Sequence, residues 1–296
     1  MSVSAQVLIL FAIALIGILC RKLGYFNENS MYTTTQLVVN VTLPCMTVVT
    51  MQRPFEHEVL IGFLITLILS GLLLVVLLLA SMWLFRTREY TRRVVISSLV
   101  GVSNSGFMGY PIILAVNPDW MIYAVAYNIA FIFVCWTMGV SLFRRDKGVE
   151  LRRVLLNPNL IAALIGFTLF CLSVTLPAVL TEVLSMVGGL TTPLTMLLIG
   201  TRMLGLRLSE FKNRDYHFTA ALRLVILPLA LYAILLLTPL PAPVKGVMFL
   251  LTAMPSGSTT SMMAELYGKD ADFAARGVAY TTLLSLVSIP LMCQLL

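Results

Sequence analysis

Two short stretches place polar chemistry where apolar residues surround it. The first, Ser103-Asn104-Ser105-Gly106, lies inside the uncharged run 94–116. The second, Pro255-Ser256-Gly257-Ser258-Thr259, lies inside 246–267. Glycine in a helix interior costs about 1 kcal/mol relative to alanine and proline about 3 kcal/mol, so neither stretch favours an unbroken helix. Non-helical backbone at membrane depth survives only where protein shields it or where it lines a wet cavity. A broken helix leaves C=O groups free at the end of its first half and N–H groups free at the start of its second. The N–H end carries about half a positive charge and attracts anions. Two such ends, starting at Gly106–Met108 and Thr259–Ser261, could together hold a carboxylate without a buried lysine. Asn104, Ser103, Ser105, Ser256 and Ser258 would add donors and acceptors. The first-half ends, near Gly101–Val102 and Ala253–Met254, would favour a cation. The competing interpretation is structural, with the same polar groups merely satisfying broken backbone.

Three more polar residues fall within apolar runs. Asn40 stands four residues before Pro44, and Asn128 lies near the middle of 120–143. An amide in lipid is costly unless partnered, so both are expected to face the interior. Asn128 suits ligand contact or structural bonding equally, whereas Asn40 suits the carbonyls that Pro44 frees. Arg223 is the one strong charge within a run, seven residues past Tyr216. It could counter an anionic substrate, but its place in the first two turns favours snorkelling to the cytoplasmic surface. Enzymatic chemistry finds little support. The serines are central, while His57 and His217 flank their runs, so no serine nucleophile has a base within reach. The GxxxxGK[ST] phosphate loop is absent.

These residues need a membrane-embedded scaffold. Of 296 residues, 59% are hydrophobic and 11% charged, against about 25% charged in a soluble domain. A crossing takes about 20 apolar residues. Ten candidates follow: 3–20, 31–51, 59–85, 94–116, 120–143, 158–176, 183–201, 216–238, 246–267 and 276–296. The start Met-Ser-Val-Ser lacks the basic region of a cleaved signal, so the first run reads as a retained span. The links after odd-numbered spans hold 17 of the 20 lysines and arginines; Arg53 and Lys245 lie on the other side. That asymmetry puts the odd links in the cytoplasm and both termini outside, in a multi-pass protein of the cytoplasmic (inner) membrane. It also explains the net charge of +7 without nucleic acid, because the basic residues flank apolar runs and form no single face. The five cysteines show no CxxC or CxxH spacing, so neither disulfides nor a metal site is indicated.

The sequence repeats weakly. Ala14-Leu15-Ile16-Gly17 recurs as Ala163-Leu164-Ile165-Gly166, and Thr42 and Pro44 recur as Thr191 and Pro193, all 149 residues on. Val125-Ala126-Tyr127 recurs as Val278-Ala279-Tyr280, 153 residues on, and a shift of about 153 lays the first broken stretch on the second. Two units result, 1–148 and 149–296. Five spans is an odd number, so the second unit enters the membrane from the opposite side. Inverted repeats with interrupted spans mark alternating-access carriers.

The motifs also resemble those of a known family. Leu37-Val38-Val39-Asn40-Val41-Thr42-Leu43-Pro44 is similar to the second-span motif of the auxin efflux carrier family, and Ser103–Pro111 to its fourth-span motif. Arg223-Leu224 with Pro228 resembles its eighth-span motif, and Ala253–Gly257 through Tyr267–Asp270 its ninth-span signature. The resemblance implies an all-α fold of ten transmembrane helices in two inverted five-helix repeats, like the bile-acid symporters. It implies scaffold and transport domains, each built from both repeats, with broken helices 4 and 9 crossing at the site. It further implies small organic-anion substrates, aromatic acids in plant members and malate or malonate in bacterial ones, and a homodimer. Asn104 matches the family's fourth-span asparagine. The long central loop of many plant carriers is missing, leaving Arg144–Arg153 in its place, which favours a short-loop microbial member.

The sequence therefore predicts a secondary carrier moving a small organic anion, with Asn104, Ser103, Ser105, Gly106, Asn128, Asn40, Pro255, Ser256, Gly257, Ser258 and Thr259 as its substrate-binding residues. No cofactor is expected, and coupling to sodium or to protons stays open. A channel would keep one continuous polar path, whereas these polar residues cluster at mid-depth. A membrane receptor or structural subunit is the rival outside transport.

Overall fold

The computed structural model of the chain describes residues 3–145, 151–204, 206 and 208–296. The expected repeat boundary at 148/149 lies outside the described residues, as do Lys147 and Arg207. Residues 3–145 contain α1 (Val3–Lys22), α2 (Glu28–Leu37), α3 (Leu43–Thr50), α4 (His57–Leu84), α5 (Tyr90–Gly101), α6 (Tyr110–Val116), α7 (Met121–Val134) and α8 (Val140–Arg144). Then come α9 (Leu151–Leu155), α10 (Pro158–Cys171), α11 (Ala178–Gly189), α12 (Thr191–Met203), α13 (Arg214–Ala221), α14 (Leu227–Leu236), α15 (Ala242–Ala253), α16 (Ser258–Leu266) and α17 (Ala271–Cys293).

Six helical stretches among the described residues are long and apolar enough to cross a membrane: Ala5–Lys22, His57–Leu84, Pro118–Arg144, Ala178–Met203, Arg214–Leu236 and Ala271–Cys293. The chain is an integral, multi-pass membrane protein. The other expected spans take different forms. α2 and α3 join through a π-helical turn, Val38–Thr42, and α2 opens with polar residues. α10 has 14 residues. The runs 94–116 and 246–267 are interrupted.

Proline shapes the helices locally. The π-helical turns Val38–Thr42, Ser105–Gly109 and Leu222–Ile226 each end two residues before a proline, at Pro44, Pro111 and Pro228. Proline offers no N–H to the preceding turn and its ring presses on the carbonyl four residues back, so the helix widens there. Near Pro193, the residue that the sequence repeat matches to Pro44, α11 ends and α12 begins around Leu190.

Small residues let the spans approach closely. α1 lies along α12, and a Cβ added at Gly200 would stand 1.8 Å from the Ala14 carbonyl oxygen, one at Gly17 2.2 Å from that of Leu197. Apolar surface gains little by leaving lipid, so such close packing is what holds membrane helices together. Gly200→Val is accordingly expected to destabilise the protein by about 3 kcal/mol, read as a lower melting temperature in detergent. Elsewhere α10 and α11 pack on α3, α4 packs on α5 and α7, and α16 packs on α17. Thr191 donates its hydroxyl to that of Thr42 at 2.9 Å, both buried, so two residues matched by the sequence repeat meet in space.

Candidate functional site at the two helix breaks

α5 stops at Gly101, Val102 turns extended, and helical structure resumes at Ser105. α15 stops at Ala253, Met254 turns extended, and α16 starts at Ser258. The two extended linkers pair antiparallel through a bridge between Ser103 and Ser256. The Asn104 N–H donates to the Pro255 oxygen at 2.8 Å, and the Gly257 N–H donates to the Val102 oxygen, also at 2.8 Å. These two bonds exchange under a shift of 153 residues, the spacing at which the sequence repeats. Gly257 permits the approach: a Cβ there would stand 2.8 Å from the Ser103 carbonyl oxygen. Both partners are main chain and neither can step aside. Gly257→Ala is therefore expected to prise the linkers apart and cut transport at least about tenfold, measured as uptake into proteoliposomes.

The freed carbonyls find partners. The Ser256 hydroxyl donates to the Leu99 oxygen at 2.6 Å. Arg223 donates through Nε to the Met254 oxygen at 2.9 Å and through Nη1 to the Val100 oxygen at 3.0 Å. One guanidinium thus ties together the C-terminal ends of both first halves, where helix dipoles place negative charge. The expectation that Arg223 snorkels to the surface is corrected: the side chain is 0% exposed. Two free carbonyls hold it more strongly than the interface can, because each would otherwise stand unpaired in a dry interior.

The N–H ends are treated differently. No side chain caps the turn beginning at Ser105, and none caps α16. In the stretches 101–110 and 253–260, only Gly106, Phe107, Ser258 and Thr259 escape full burial. These are the opening residues of the two second halves, and Gly106 and Thr259 again lie 153 apart. A Cβ at Gly106 would meet nothing within 4 Å, so space opens beside it. Asn104 is 6% exposed, and its carboxamide neither caps the following turn nor bonds another side chain.

The remaining expected residues serve or flank this centre. The Ser105 hydroxyl reaches the Asn128 Oδ1 at 3.5 Å, the outer limit of a hydrogen bond, and both are buried. Ser103 lies 3.4 Å from the Tyr127 hydroxyl, and the Ser256 N–H donates to Thr281 Oγ1 at 3.2 Å. Pro255 is buried and acts through its carbonyl. Asn40 stands apart. It was expected to face the interior, yet it is exposed and donates to Gln36 Oε1 at 2.7 Å. The π-helical turn before Pro44 rotates it outward, and a glutamine one turn earlier meets the amide's need for a partner. Sequence reasoning missed Arg202, which bonds Ser258 at the mouth of the breaks. Its signal was helical spacing: Leu194, Leu198 and Arg202 fall at four-residue intervals on α12. A separate cleft of about 680 Å³ beside Phe85, Arg88, Asp215 and His217 touches none of the break residues.

A family model described as "Membrane transport protein" matches residues 2–152 and again 143–293. The chain belongs to this family, that of the auxin efflux carriers. Its members are membrane transporters rather than enzymes. An uncharacterized transporter of Methanothermobacter thermautotrophicus is 26% identical over 304 residues, covering 98% of this chain and 97% of the relative. An uncharacterized transporter of Methanocaldococcus jannaschii is 23% identical over 303 residues, covering 96% of each.

Proposed function

We propose that this transporter is a secondary carrier of small organic anions, working by alternating access. One observation carries the reading: the only open residues of the two breaks are the uncapped N-terminal turns, at Gly106–Phe107 and Ser258–Thr259. Exposed N–H groups with a positive dipole end suit a carboxylate. Asn104 adds a free amide donor. Asn128 positions Ser105, and Pro255, Ser256 and Gly257 hold the linkers in register.

The contacts between residues 149 or 153 apart support two inverted repeats of five crossings, since residues on a two-fold axis meet their own counterparts. In that arrangement α1, α2–α3, α10 and α11–α12 form a scaffold. The helices carrying the breaks form the transport domain. The lysine and arginine asymmetry then sets both termini outside the cytoplasmic membrane.

Arg223 also bears on coupling. It occupies, with a fixed charge, the place between two helix C-termini where a coupling cation would otherwise gain most. Binding is therefore independent of sodium. The test is thermal stabilisation of the detergent-purified protein by acetate, benzoate, malonate and malate, in sodium and in choline buffers. At least one acid should raise the melting temperature, equally in both. Stabilisation by none of them would overturn the anion reading, and stabilisation only in sodium would overturn the role given to Arg223.

A further inference from the structure

The scaffold contributes one cation to the mouth of the breaks. Arg202, in the last turn of α12, donates through Nη1 to the Ser258 hydroxyl and through Nη2 to Thr35 Oγ1 at 3.4 Å. Both partners are neutral hydroxyls. No carboxylate pairs with it: the ion pairs of the described residues do not include Arg202, and Glu28, the acid of neighbouring α2, is taken by Arg21 at 2.6 Å. The guanidinium instead faces the start of α16, itself a positive pole without a cap.

Two like poles converging in a partly desolvated place repel one another, and the Glu28 carboxylate, bonded to Arg21 and not in contact with Arg202, offsets the guanidinium only in part. Two further polar groups at the breaks lack a partner among the described residues. Thr260, in the first turn of α16, is 1% exposed and its hydroxyl has no partner. Asn104 is 6% exposed with an unused carboxamide. Phe107, in the opposite second half, packs against the apolar cluster of Met31, Val38 and Leu198, which Leu194 also adjoins; Leu198 and Leu194 stand one and two turns before Arg202 on α12. The arginine therefore continues the α12 stripe that lines both N-terminal turns.

We propose that Arg202 is the specificity-determining residue that makes this carrier require a negative charge. The helix ends and Asn104 donate hydrogen bonds, which an amide or a hydroxyl would also accept. Arg202 supplies the full positive charge that a neutral analogue cannot repay. The planar guanidinium can keep its bond to Ser258 while presenting its remaining N–H groups to a carboxylate. A scaffold residue would thus contact a solute held by the transport domain, and only in the conformation that joins Arg202 to Ser258.

This inference rests on the anion-carrier reading, and the two fail differently. The probes are acetate, benzoate, malonate and malate with their carboxamides, titrated by thermal stabilisation of the full-length protein. Wild-type protein should prefer the acid over its amide by at least about thirtyfold, as expected for a hydrogen-bonded charge pair. Arg202→Gln should weaken the acid by that factor, leave the amide within about threefold and so erase the preference. Arg202→Lys keeps the charge without the fork and should retain the preference at reduced strength. It also serves if the glutamine variant does not fold. Wild-type protein stabilised by no acid would sink the anion-carrier reading and this proposal with it. Acid binding by wild type with an undiminished preference in Arg202→Gln, or equal weakening of acid and amide, would overturn the role of Arg202 alone. An acid preference abolished in Arg202→Lys as fully as in Arg202→Gln would also overturn it.

Discussion

Arg223→Leu is expected to abolish uptake and to destabilise the protein by about 4 kcal/mol, from the loss of two hydrogen bonds to a charged donor. The carbonyls of Val100 and Met254 lie at the ends of separate half-helices, and Arg223 is fully buried between them. Leucine leaves both carbonyls unpaired in a dry interior and removes the charge that offsets two dipole ends. Arg223→Lys should recover part of the stability, since one ammonium keeps the charge but lacks the spread of the guanidinium. Melting curves in detergent and uptake into proteoliposomes check both statements. A leucine variant with normal uptake would show that the tie between the halves is dispensable.

The second large effect concerns the open side of the same breaks. Asn104→Ala combined with Ser258→Ala should reduce carboxylate uptake at low substrate by about a hundredfold, at roughly tenfold for each donor removed. Stability should change little. Among the described residues the Asn104 side chain has no hydrogen-bond partner, and the Ser258 hydroxyl meets only Arg202. The contrast with Arg223 is diagnostic: one residue ties the C-terminal ends together, whereas in the proposed carrier the others would receive solute at the N-terminal ends. Uptake that survives in the double variant would place the substrate elsewhere.

Much of this was legible in the chain because the signals are local. Glycine, serine and proline at mid-span mark a break wherever they occur, so Ser103–Gly106 and Pro255–Thr259 could be located from the sequence. The repeat spacing could be read as well, and the contacts Thr42–Thr191 and Ser103–Ser256 fall on it. Arg223 was misjudged because depth along a helix does not reveal what the neighbouring helices leave unpaired. Its partners lie 31 and 123 residues away. Asn40 was misjudged for a local reason: a π-helical turn shifts the facing of every residue it contains, and periodicity assumes an unperturbed helix. Arg202 was hidden among the basic residues that set orientation, where one cation looks like another until a hydroxyl 56 residues away identifies it.

Cysteine accessibility tests the central claim most directly. With the five native cysteines replaced, Gly106→Cys and Thr259→Cys each place a thiol at the open start of one second half. Gly106 has room for it, since nothing stands within 4 Å of the added Cβ. The rate of maleimide labelling is then measured with and without the carboxylate that best stabilises the protein. The account predicts that the acid slows labelling at both positions, with the same concentration dependence. Protection at neither position, or at one alone, would contradict a single anion held between the two helix ends.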